Sequence, residues 1–444
     1  MKPPPSKSRQ LFTRRAGIAV AIASAAALAL SACSGGSVTG NAADTKDRTT
    51  VVVWAGTSGS TDPLRKQLVE DFNASQSKYT VDIQVQPTSL TAQARLINAI
   101  KNKQGPNFVL DDGQPQSLGQ VISTGAVVPL DKYLGASDST LKKSNFTDGM
   151  LGTGTFHGKV YSLPTQGGDY ALIYNKAMFK AAGITKPPAT WAELQKDAAK
   201  LTIGTQQYGM YLPIGPGGTA PYYWQSMLWS AGGEFMNADN TKVEFNSPEG
   251  VRALTAWTDM VKAGTAYPAS LQTPSDNGST GAMTSKKAAM AINGAYNLGI
   301  LDKALGADNV GVAPLPKIDK PAMNLGSNNS YILKGTPAQE DGAWAFLQYW
   351  LTPKVQAKWD IATGLLPTNI ETAKNATWKS FLAKNPRIKV FADELAYANS
   401  RPSIDAYGAI SDALSAELEK AMLLKQSPEE ALKNAETAAT AALK

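Results

Sequence analysis

Cysteine and histidine are nearly absent from this sequence of 444 residues. Cys33 is the only cysteine and His157 is the only histidine. A lone cysteine excludes disulfide bonds within the chain, and a lone histidine excludes a histidine-rich metal site. The Gly-x-Ser-x-Gly motif of many serine hydrolases is also missing. We therefore predict no metal, no cofactor and no catalytic residue, and we interpret His157 as a turn residue.

Apolar runs long enough to span a membrane are missing as well. Residues 16–30 are mostly Ala, Ile, Leu and Val, and they follow a basic segment without acidic residues. This run of roughly 15 residues is shorter than the about 20 that a spanning helix needs. A basic segment, an apolar run and small residues before Cys33 are typical of a bacterial lipoprotein signal peptide. We predict that residues 1–32 are removed and that Cys33 carries a lipid.

Residues 33–49 are small and polar, so we predict a flexible tether between the lipid and a globular body. The protein would then be anchored to the cell membrane and face the extracellular side or the periplasm. Arg14 and Arg15 leave both general secretion and twin-arginine export open.

A strong excess of positive charge is missing from the predicted mature chain. The sequence has 43 basic and 36 acidic residues, and five of the basic ones lie in residues 1–32. The remaining 38 basic residues against 36 acidic ones leave a net charge of +2. No basic stripe stands out, so we predict no nucleic-acid partner. With 43% hydrophobic residues, the chain can build a large core divided between two domains.

Strand and helix patterns alternate after residue 50. Residues 51–54 are a strand-like apolar run, residues 64–72 carry apolar side chains at helical spacing, and residues 79–85 alternate like a strand. This order is typical of an α/β fold. Thr190, with Glu193 three residues later, predicts a helix that begins with a capping box. Further helices are predicted at 92–101, 115–123, 248–263, 341–350, 353–363, 406–424 and 428–444, and further strands at 107–110 and 171–174.

Eight short segments carry a family resemblance through their order and spacing. They are Val-Val-Val-Trp at 51–54, Phe-Asn at 72–73, Gly-Ala-Val-Val-Pro-Leu-Asp at 125–131, Gly-Lys-Val-Tyr-Ser-Leu-Pro at 158–164, Leu-Ile-Tyr-Asn-Lys at 172–176, Pro-Ala-Thr-Trp-Ala-Glu-Leu at 188–194, Ala-Ala-Met-Ala-Ile-Asn-Gly at 288–294 and Gly-Leu-Leu-Pro-Thr at 364–368. With them, residues 50–443 resemble the extracellular solute-binding proteins (family 1) of carbohydrate-type ABC importers, which include maltose-binding and glycerol-3-phosphate-binding proteins.

The resemblance implies a two-lobed α/β fold of the periplasmic-binding-protein type (type II), with a ligand cleft between the lobes and several hinge crossings. It implies a first lobe at 50–166 plus 327–368 and a second lobe at 167–326 plus 369–444. It also implies a function without catalysis. The protein would capture a mono- or oligosaccharide as a monomer and deliver it to an ABC permease.

Sugar-binding sites combine flat aromatic rings with fixed polar partners. The aromatic candidates here are Trp54, Tyr222, Trp224 and Tyr296. Tyr296 follows Gly294, which permits close backbone approach, and similar sugar binders place a stacking ring there. We predict that Tyr296 and Trp224 stack on the ligand and that Trp229 lies in the core.

Polar candidates follow the predicted strand ends, where α/β proteins present ligands. They are Ser58, Asp111, Asp112, Gln166, Asp169 and Asn328. Because neighbouring side chains of an extended segment point in opposite directions, we expect one of Asp111 and Asp112 to contact ligand and the other to cap a turn. Maltose-binding relatives have an aromatic residue where Asp111 stands, which argues against maltose itself.

Two other functions stay open. Arg401 resembles the residue that holds the anion in glycerophosphate-binding relatives, so glycerol 3-phosphate or a glycerophosphodiester is an alternative ligand. The alternative for Arg401 is that it is a surface arginine before Pro402 without a role in ligand binding. The third function is a surface glycosidase, because the sequence neither selects nor excludes a pair of catalytic carboxylates.

Overall fold

The first strand of the protein shows why the sequence folds as an α/β structure. Val51, Val53 and Ala55 are buried and alternate with more exposed residues, as expected for a strand whose two faces differ. The computed structural model describes residues 48–86, 90–214, 219–267 and 275–444. The predicted signal peptide, Cys33 and the tether up to residue 47 lie outside the described residues.

The strands are numbered in chain order. They are β1 (Thr49–Gly56), β2 (Tyr79–Gln86), β3 (Phe108–Gly113), β4 (Thr155–Phe156), β5 (Lys159–Val160), β6 (Leu163–Gly168), β7 (Ala171–Asn175), β8 (Tyr208–Tyr211), β9 (Ala266–Tyr267), β10 (Ala288–Asn293), β11 (Val310–Ala313), β12 (Met323–Asn324), β13 (Gly326–Ile332) and β14 (Ala398–Asn399).

The helices are numbered in the same way. They are α1 (Asp62–Ser75), α2 (Leu90–Lys101), α3 (Pro115–Ile122), α4 (Asp131–Leu134), α5 (Asp148–Gly152), α6 (Lys176–Ala181), α7 (Trp191–Leu201), α8 (Thr219–Ser230), α9 (Pro248–Lys262), α10 (Ser275–Thr284), α11 (Leu298–Leu305), α12 (Pro337–Trp350), α13 (Pro353–Thr363), α14 (Ile370–Lys374), α15 (Ala376–Lys384), α16 (Pro386–Glu394), α17 (Tyr407–Met422) and α18 (Pro428–Ala442).

Two five-stranded sheets organise the described residues. The first has the strand order β2-β1-β3-β13-β6, in which β1 pairs in parallel with β2 and β3 while β13 runs antiparallel to β3 and β6. The second has the order β11-β7-β10-β8-β9, with β7 antiparallel to both of its neighbours. The predicted two-lobed α/β fold is therefore confirmed, whereas the residue boundaries of the lobes stay a prediction.

Each sheet is covered by helices that bury large aromatic side chains. The core of the first lobe contains Phe108, Phe346 and Trp359. In the second lobe, one face of the sheet packs on α8, α9, α17 and α18, and the other face packs on α10, α11, α15 and α16. Adjacent residues of β7 point to these opposite faces, because Leu172 belongs to the first cluster and Ile173 to the second.

The predicted elements agree with the structure to within a few residues, including the helix at the C-terminus. The capping box before α7 is also confirmed, since the Glu193 amide donates to Thr190 Oγ1 at 3.2 Å and Glu193 Oε2 accepts from the Thr190 amide at 3.3 Å. His157 lies in a turn with a positive φ of 49°, as predicted. For α8 the prediction was wrong in the first half, because the glycines before Thr219 indicate a loop around Trp224 and the helical pattern is seen only near Trp229. Several other elements were not predicted, among them β8, β10, β11, β13, α10, α11, α15 and α16.

The contact between α7 and β8 leaves no room for a side chain at Gly209. A β-carbon there would lie 2.3 Å from Ala198 Cα, which belongs to the helix backbone. Gly209→Ala should therefore force α7 away from the sheet and lower the free energy of unfolding by about 1–3 kcal/mol. Urea denaturation measures this loss. The matched control is Gly281→Ala in α10, where the added methyl meets no atom within 4 Å; equal stability of the two variants would contradict the prediction.

Candidate functional site

A cleft of about 1450 Å³ lies between the lobes and collects most of the predicted site residues. The first lobe contributes the ends of β6 and β13 and the loop after β1, and the second contributes the start of α8 and the segment around α11. Parts of α13, α15 and α16 complete the lining. The predicted residues that line this cleft are Ser58, Gln166, Asp169, Tyr222, Tyr296, Asn328 and Arg401.

Two amides at the sheet edge form the floor of the cleft. Gln166 and Asn328 are partners in the antiparallel pairing of β6 and β13, and Asn328 Nδ2 donates to Gln166 Oε1 at 2.9 Å. The register shifts between Asn328 and Asn329, so that Asn329 turns away and bonds Thr153 and Ser162 inside the lobe. The shift leaves paired amide groups in the cleft, where they can exchange hydrogen bonds with a ligand.

An aromatic ring and a guanidinium stand together on the second lobe. The Arg401 guanidinium carbon lies 4.7 Å from the centre of the Tyr222 ring, a cation–π contact. The Tyr222 hydroxyl donates to the Asn324 carbonyl at 2.7 Å, and Asn324 Nδ2 donates to Gln225 Oε1 at 2.8 Å. Gln225 in turn donates to the Tyr407 hydroxyl at 2.9 Å. This network fixes Tyr222 and holds Arg401 as a buried cation beside the cleft.

Asp169 adds a carboxyl group in an unusual environment. It follows β6 and is 4% exposed, and its Oδ2 has no hydrogen-bond partner among the described residues. Burial, and then the charge of Glu394, holds the pKa of Asp169 well above its ordinary value. Burial also raises the pKa of Glu394 to about 7, although this carboxylate accepts hydrogen bonds from the Leu315 amide and the Tyr397 hydroxyl. Burial therefore favours the neutral form of Asp169, whose side chain lines the cleft.

The turn after β10 places Tyr296 at the opposite wall. Asn293 Nδ2 donates to Ser279 and Thr280, and its Oδ1 accepts from the Gly294 amide at 2.8 Å and from Asn297 Nδ2 at 2.7 Å. A β-carbon at Gly294 would lie 2.2 Å from the Tyr296 ring. Gly294 is itself buried and leaves space for the Tyr296 ring. Tyr296 remains 41% exposed.

Five of the predicted site residues do not line this cleft; one is Gly294, and the other four lie further away. Trp224 has no exposed surface and packs edge-on against Phe245, because α8 turns this side of the helix into the core. Trp54 and Asp112 line a separate groove of about 20 Å³ beside Arg95. Asp111 is buried beneath the floor with both carboxylate oxygens without a hydrogen-bond partner among the described residues.

The expectation that one of the two adjacent aspartates contacts ligand directly is thus not met by the cleft lining. Asp111 has a positive φ of 58°, so the strand does not continue with the alternation that the sequence argument assumed. Trp229, in contrast, is buried in the core of the second lobe as predicted.

Several cleft residues were not identified from the sequence. Asp302 and Arg387 form a two-pronged ion pair at 2.6 and 2.7 Å, although they are 85 positions apart in the chain. Phe381 and Ile300 also line the cleft. The sequence offers one indication for Ile300. On α11 it lies off the buried face that Leu298 and Leu301 form, so it is an apolar residue on an exposed face.

The described residues contain no cluster of three or more His, Cys, Asp or Glu side chains that could hold a metal ion. In the same part of the chain, every helix is too short or too polar to cross a bilayer.

Two mixed sheets on either side of an open cleft with both polar and apolar lining define a protein that binds a small solute between its lobes. A family model of bacterial extracellular solute-binding proteins matches residues 67–388. The match covers more than half of the chain, and the chain belongs to this family. It is a solute-binding protein of an ABC importer, and its place is extracellular or periplasmic.

Proteins with similar sequences are also named as binding proteins. A putative binding protein of Brucella abortus is 28% identical over 389 residues, which cover 87% of this chain and 91% of the relative. The sn-glycerol-3-phosphate-binding periplasmic protein of the same species is 25% identical over 359 residues, with 76% and 79% of the two chains covered. The crystal structure of the cyclic alpha-maltosyl-1,6-maltose binding protein from Arthrobacter globiformis is 28% identical, with a TM-score of 0.78 and coverage of 89% and 99%.

The raised pKa of Glu394 predicts how stability depends on pH. Because the folded protein holds this proton more tightly than the unfolded chain, its stabilising effect is complete below the unfolded pKa and is lost as pH rises through about 7. Glu394→Gln should therefore reduce the loss of stability between pH 5 and pH 8 by up to about 3 kcal/mol.

Urea denaturation at constant ionic strength across this pH range is the measurement. Glu70→Gln is the control, since Glu70 is exposed on α1. A pH profile of the Glu394 variant that parallels those of the wild type and the control would contradict the assignment.

Proposed function

We propose that the protein is a lipid-anchored binding protein that captures a sugar and delivers it, unaltered, to its ABC permease. The observation that carries this proposal is the convergence in one cleft of an exposed ring, Tyr296, with the amides of Gln166 and Asn328. Ring faces pack on the apolar face of a sugar, while fixed amides exchange hydrogen bonds with its hydroxyl groups. The sugar-binding relative from Arthrobacter supports the same ligand class.

Hydrogen-bonding groups in the cleft also support a hydroxyl-rich ligand. The carboxyl group of Asp169 can accept hydrogen bonds from sugar hydroxyl groups, and burial raises its pKa and so favours the form that can also donate one. The cation of Arg401 faces the Tyr222 ring. The sequence motif around Cys33 supports the lipid anchor, and we propose that the protein acts as a monomer without catalytic activity.

A glycerol 3-phosphate or glycerophosphodiester ligand is the second candidate. It is favoured by the buried position of Arg401 at the cleft and by the glycerol-3-phosphate-binding relative from Brucella. A guanidinium matches two phosphate oxygens at once, which an ammonium group does not. A phosphate ligand would therefore require direct contact with Arg401, whereas a sugar would not.

A thermal-shift panel separates the two ligands. A compound at 100 times its Kd should stabilise the folded protein by about 2.7 kcal/mol, which raises the melting temperature. We expect a shift with at least one sugar in a panel of monosaccharides, linear oligosaccharides and cyclic maltooligosaccharides, and none with glycerol 3-phosphate or glycerophosphocholine. A shift with the phosphate compounds that Arg401→Ala abolishes and Arg252→Ala preserves would establish the second candidate; Arg252 is an exposed control. Accumulation of a hydrolysed product from any of these sugars would contradict a binding function.

Tyr296 provides the sharpest test of the stacking contact. Tyr296→Ala should weaken sugar binding by about 1–3 kcal/mol, because it removes an aromatic surface from the site. Tyr296→Phe should keep most of the affinity, since the ring face is retained. Isothermal titration calorimetry measures both values.

Trp224→Ala is the matched aromatic control for Tyr296. Since Trp224 lies in the core, its truncation should lower the free energy of unfolding by about 3–5 kcal/mol, while the folded protein keeps its affinity. Unchanged affinity in Tyr296→Ala together with a loss in Trp224→Ala would reverse the assignment.

A further inference from the structure

Apolar side chains are exposed at one end of the cleft. Of the five large apolar side chains that are exposed in the described residues, Tyr296 and Ile300 both line it. On α11, Leu298 and Leu301 pack into the core, whereas Ile300 points away from it and is 55% exposed. Large apolar side chains grouped on a concave surface are typical of a binding site.

Residues from three other helices or their ends continue this surface. We call it the apolar wall, and its members are Tyr296, Ile300, Ile361, Leu365, Phe381 and Ile388. Most of them are aliphatic and so cannot offer hydrogen bonds to sugar hydroxyl groups. The wall is therefore chemically different from the polar end formed by Gln166, Asn328 and Arg401.

An ion pair fixes the geometry of the apolar wall. The guanidinium of Arg387 binds both carboxylate oxygens of Asp302, at 2.6 and 2.7 Å, and thereby joins α16 to α11. Ile388 is the next residue after Arg387, and Ile300 precedes Asp302 by two positions. Asn385 Nδ2 also donates to the Phe381 carbonyl at 2.8 Å and holds the end of α15. A surface that is held in place before binding loses little entropy when a ligand covers it.

The apolar wall and the polar end belong to one continuous cleft. A β-carbon at Gly168 would lie 3.8 Å from Leu365 Cδ2, so Leu365 reaches the end of β6, next to Asp169. A β-carbon at Gly364 would lie 3.4 Å from Tyr296 Cα, so the same turn also reaches the aromatic platform. The cleft volume of about 1450 Å³ exceeds the roughly 300–1000 Å³ of common small-molecule sites. One extended ligand can contact both surfaces.

We propose that the ligand is a glycoside with an apolar aglycone. Its sugar would occupy the polar end of the cleft and stack on Tyr296 at the border of the apolar wall. Its aryl or alkyl group would cover the rest of the wall, around Ile300, Ile361 and Phe381. This inference rests on the proposed sugar-binding function and narrows its ligand class. A free sugar would reach Tyr296 but would leave the aliphatic part of the wall in water, and apolar surface that stays unburied forgoes about 25 cal/mol for each Å².

The test compares two ligands that share one sugar. Calorimetry with the methyl and the 4-nitrophenyl α-glycosides of the sugar that gives the largest thermal shift measures the gain from the aryl group, and we expect the aryl glycoside to bind about tenfold tighter, as burial of about 50–60 Å² of apolar surface implies. Ile300→Ser and Phe381→Ser should each bring this ratio of affinities towards one. Ile203→Ser is the matched control, because Ile203 is exposed outside the cleft lining, and it should keep the wild-type ratio. Equal affinity for the two glycosides in the wild type would overturn the proposal.

A second measurement requires no sugar. The uncharged dye N-phenyl-1-naphthylamine should fluoresce more strongly with the wild type and with Ile203→Ser than with Ile300→Ser or Phe381→Ser, and the same 4-nitrophenyl glycoside should displace it. No difference between these variants would overturn the apolar wall as a ligand surface. If sugars shift the melting temperature but the aryl group adds nothing, this inference fails alone. If the dye binds at Ile300 and no sugar binds, the proposed sugar-binding function fails instead.

Discussion

The antiparallel pairing of β6 with β13 positions the whole binding site. These strands come from segments about 160 residues apart, and they meet at the edge of the first sheet where the chain passes towards the second. Gly167 exchanges two backbone hydrogen bonds with Leu366, at 3.1 and 2.8 Å, and a β-carbon at Gly167 would lie 2.7 Å from the Leu366 carbonyl oxygen. A side chain at this position would separate the segment after α13 from β6 and would displace Leu365 from the cleft.

Buried polar networks then hold each functional side chain in one orientation. Asn329, Asn324 and Asn293 each make several hydrogen bonds below the surface of the cleft. Buried amides are costly when they lack partners, so several hydrogen bonds to one amide favour a single conformation of the loop that carries it. The positions of the cleft residues Asn328 and Tyr296 depend on these neighbours. Such preorganisation lowers the entropy that is lost when a ligand binds.

Polar and apolar halves of the cleft complement each other in the proposed function. The polar half supplies paired amides, the buried carboxyl group of Asp169 and the cation of Arg401, while the apolar wall supplies aliphatic and aromatic surface. Hydrogen bonds fix the orientation of a ligand, and apolar burial supplies much of the driving force. A ligand that matches both halves is oriented by hydrogen bonds and gains binding free energy from apolar burial. We therefore expect selectivity for an amphipathic glycoside.

The sequence alone indicated the α/β class, many of the helices and strands, and a resemblance to the family, because apolar periodicity and capping residues act over a few neighbouring positions. Strands β8, β10, β11 and β13, which complete the two sheets, were not predicted from it. It also indicated that Gln166, Asp169 and Asn328 follow strand ends, and the structure brings these residues into one cleft. Tyr222 and Trp224 show where local information stops, since both lie in α8, two positions apart, yet the first lines the cleft and the second lies in the core. Only the packing of α8 against distant segments decided between them. The same holds for Asp302 with Arg387 and for the apolar wall, because contacts between residues far apart in the chain exist only once the lobes have folded.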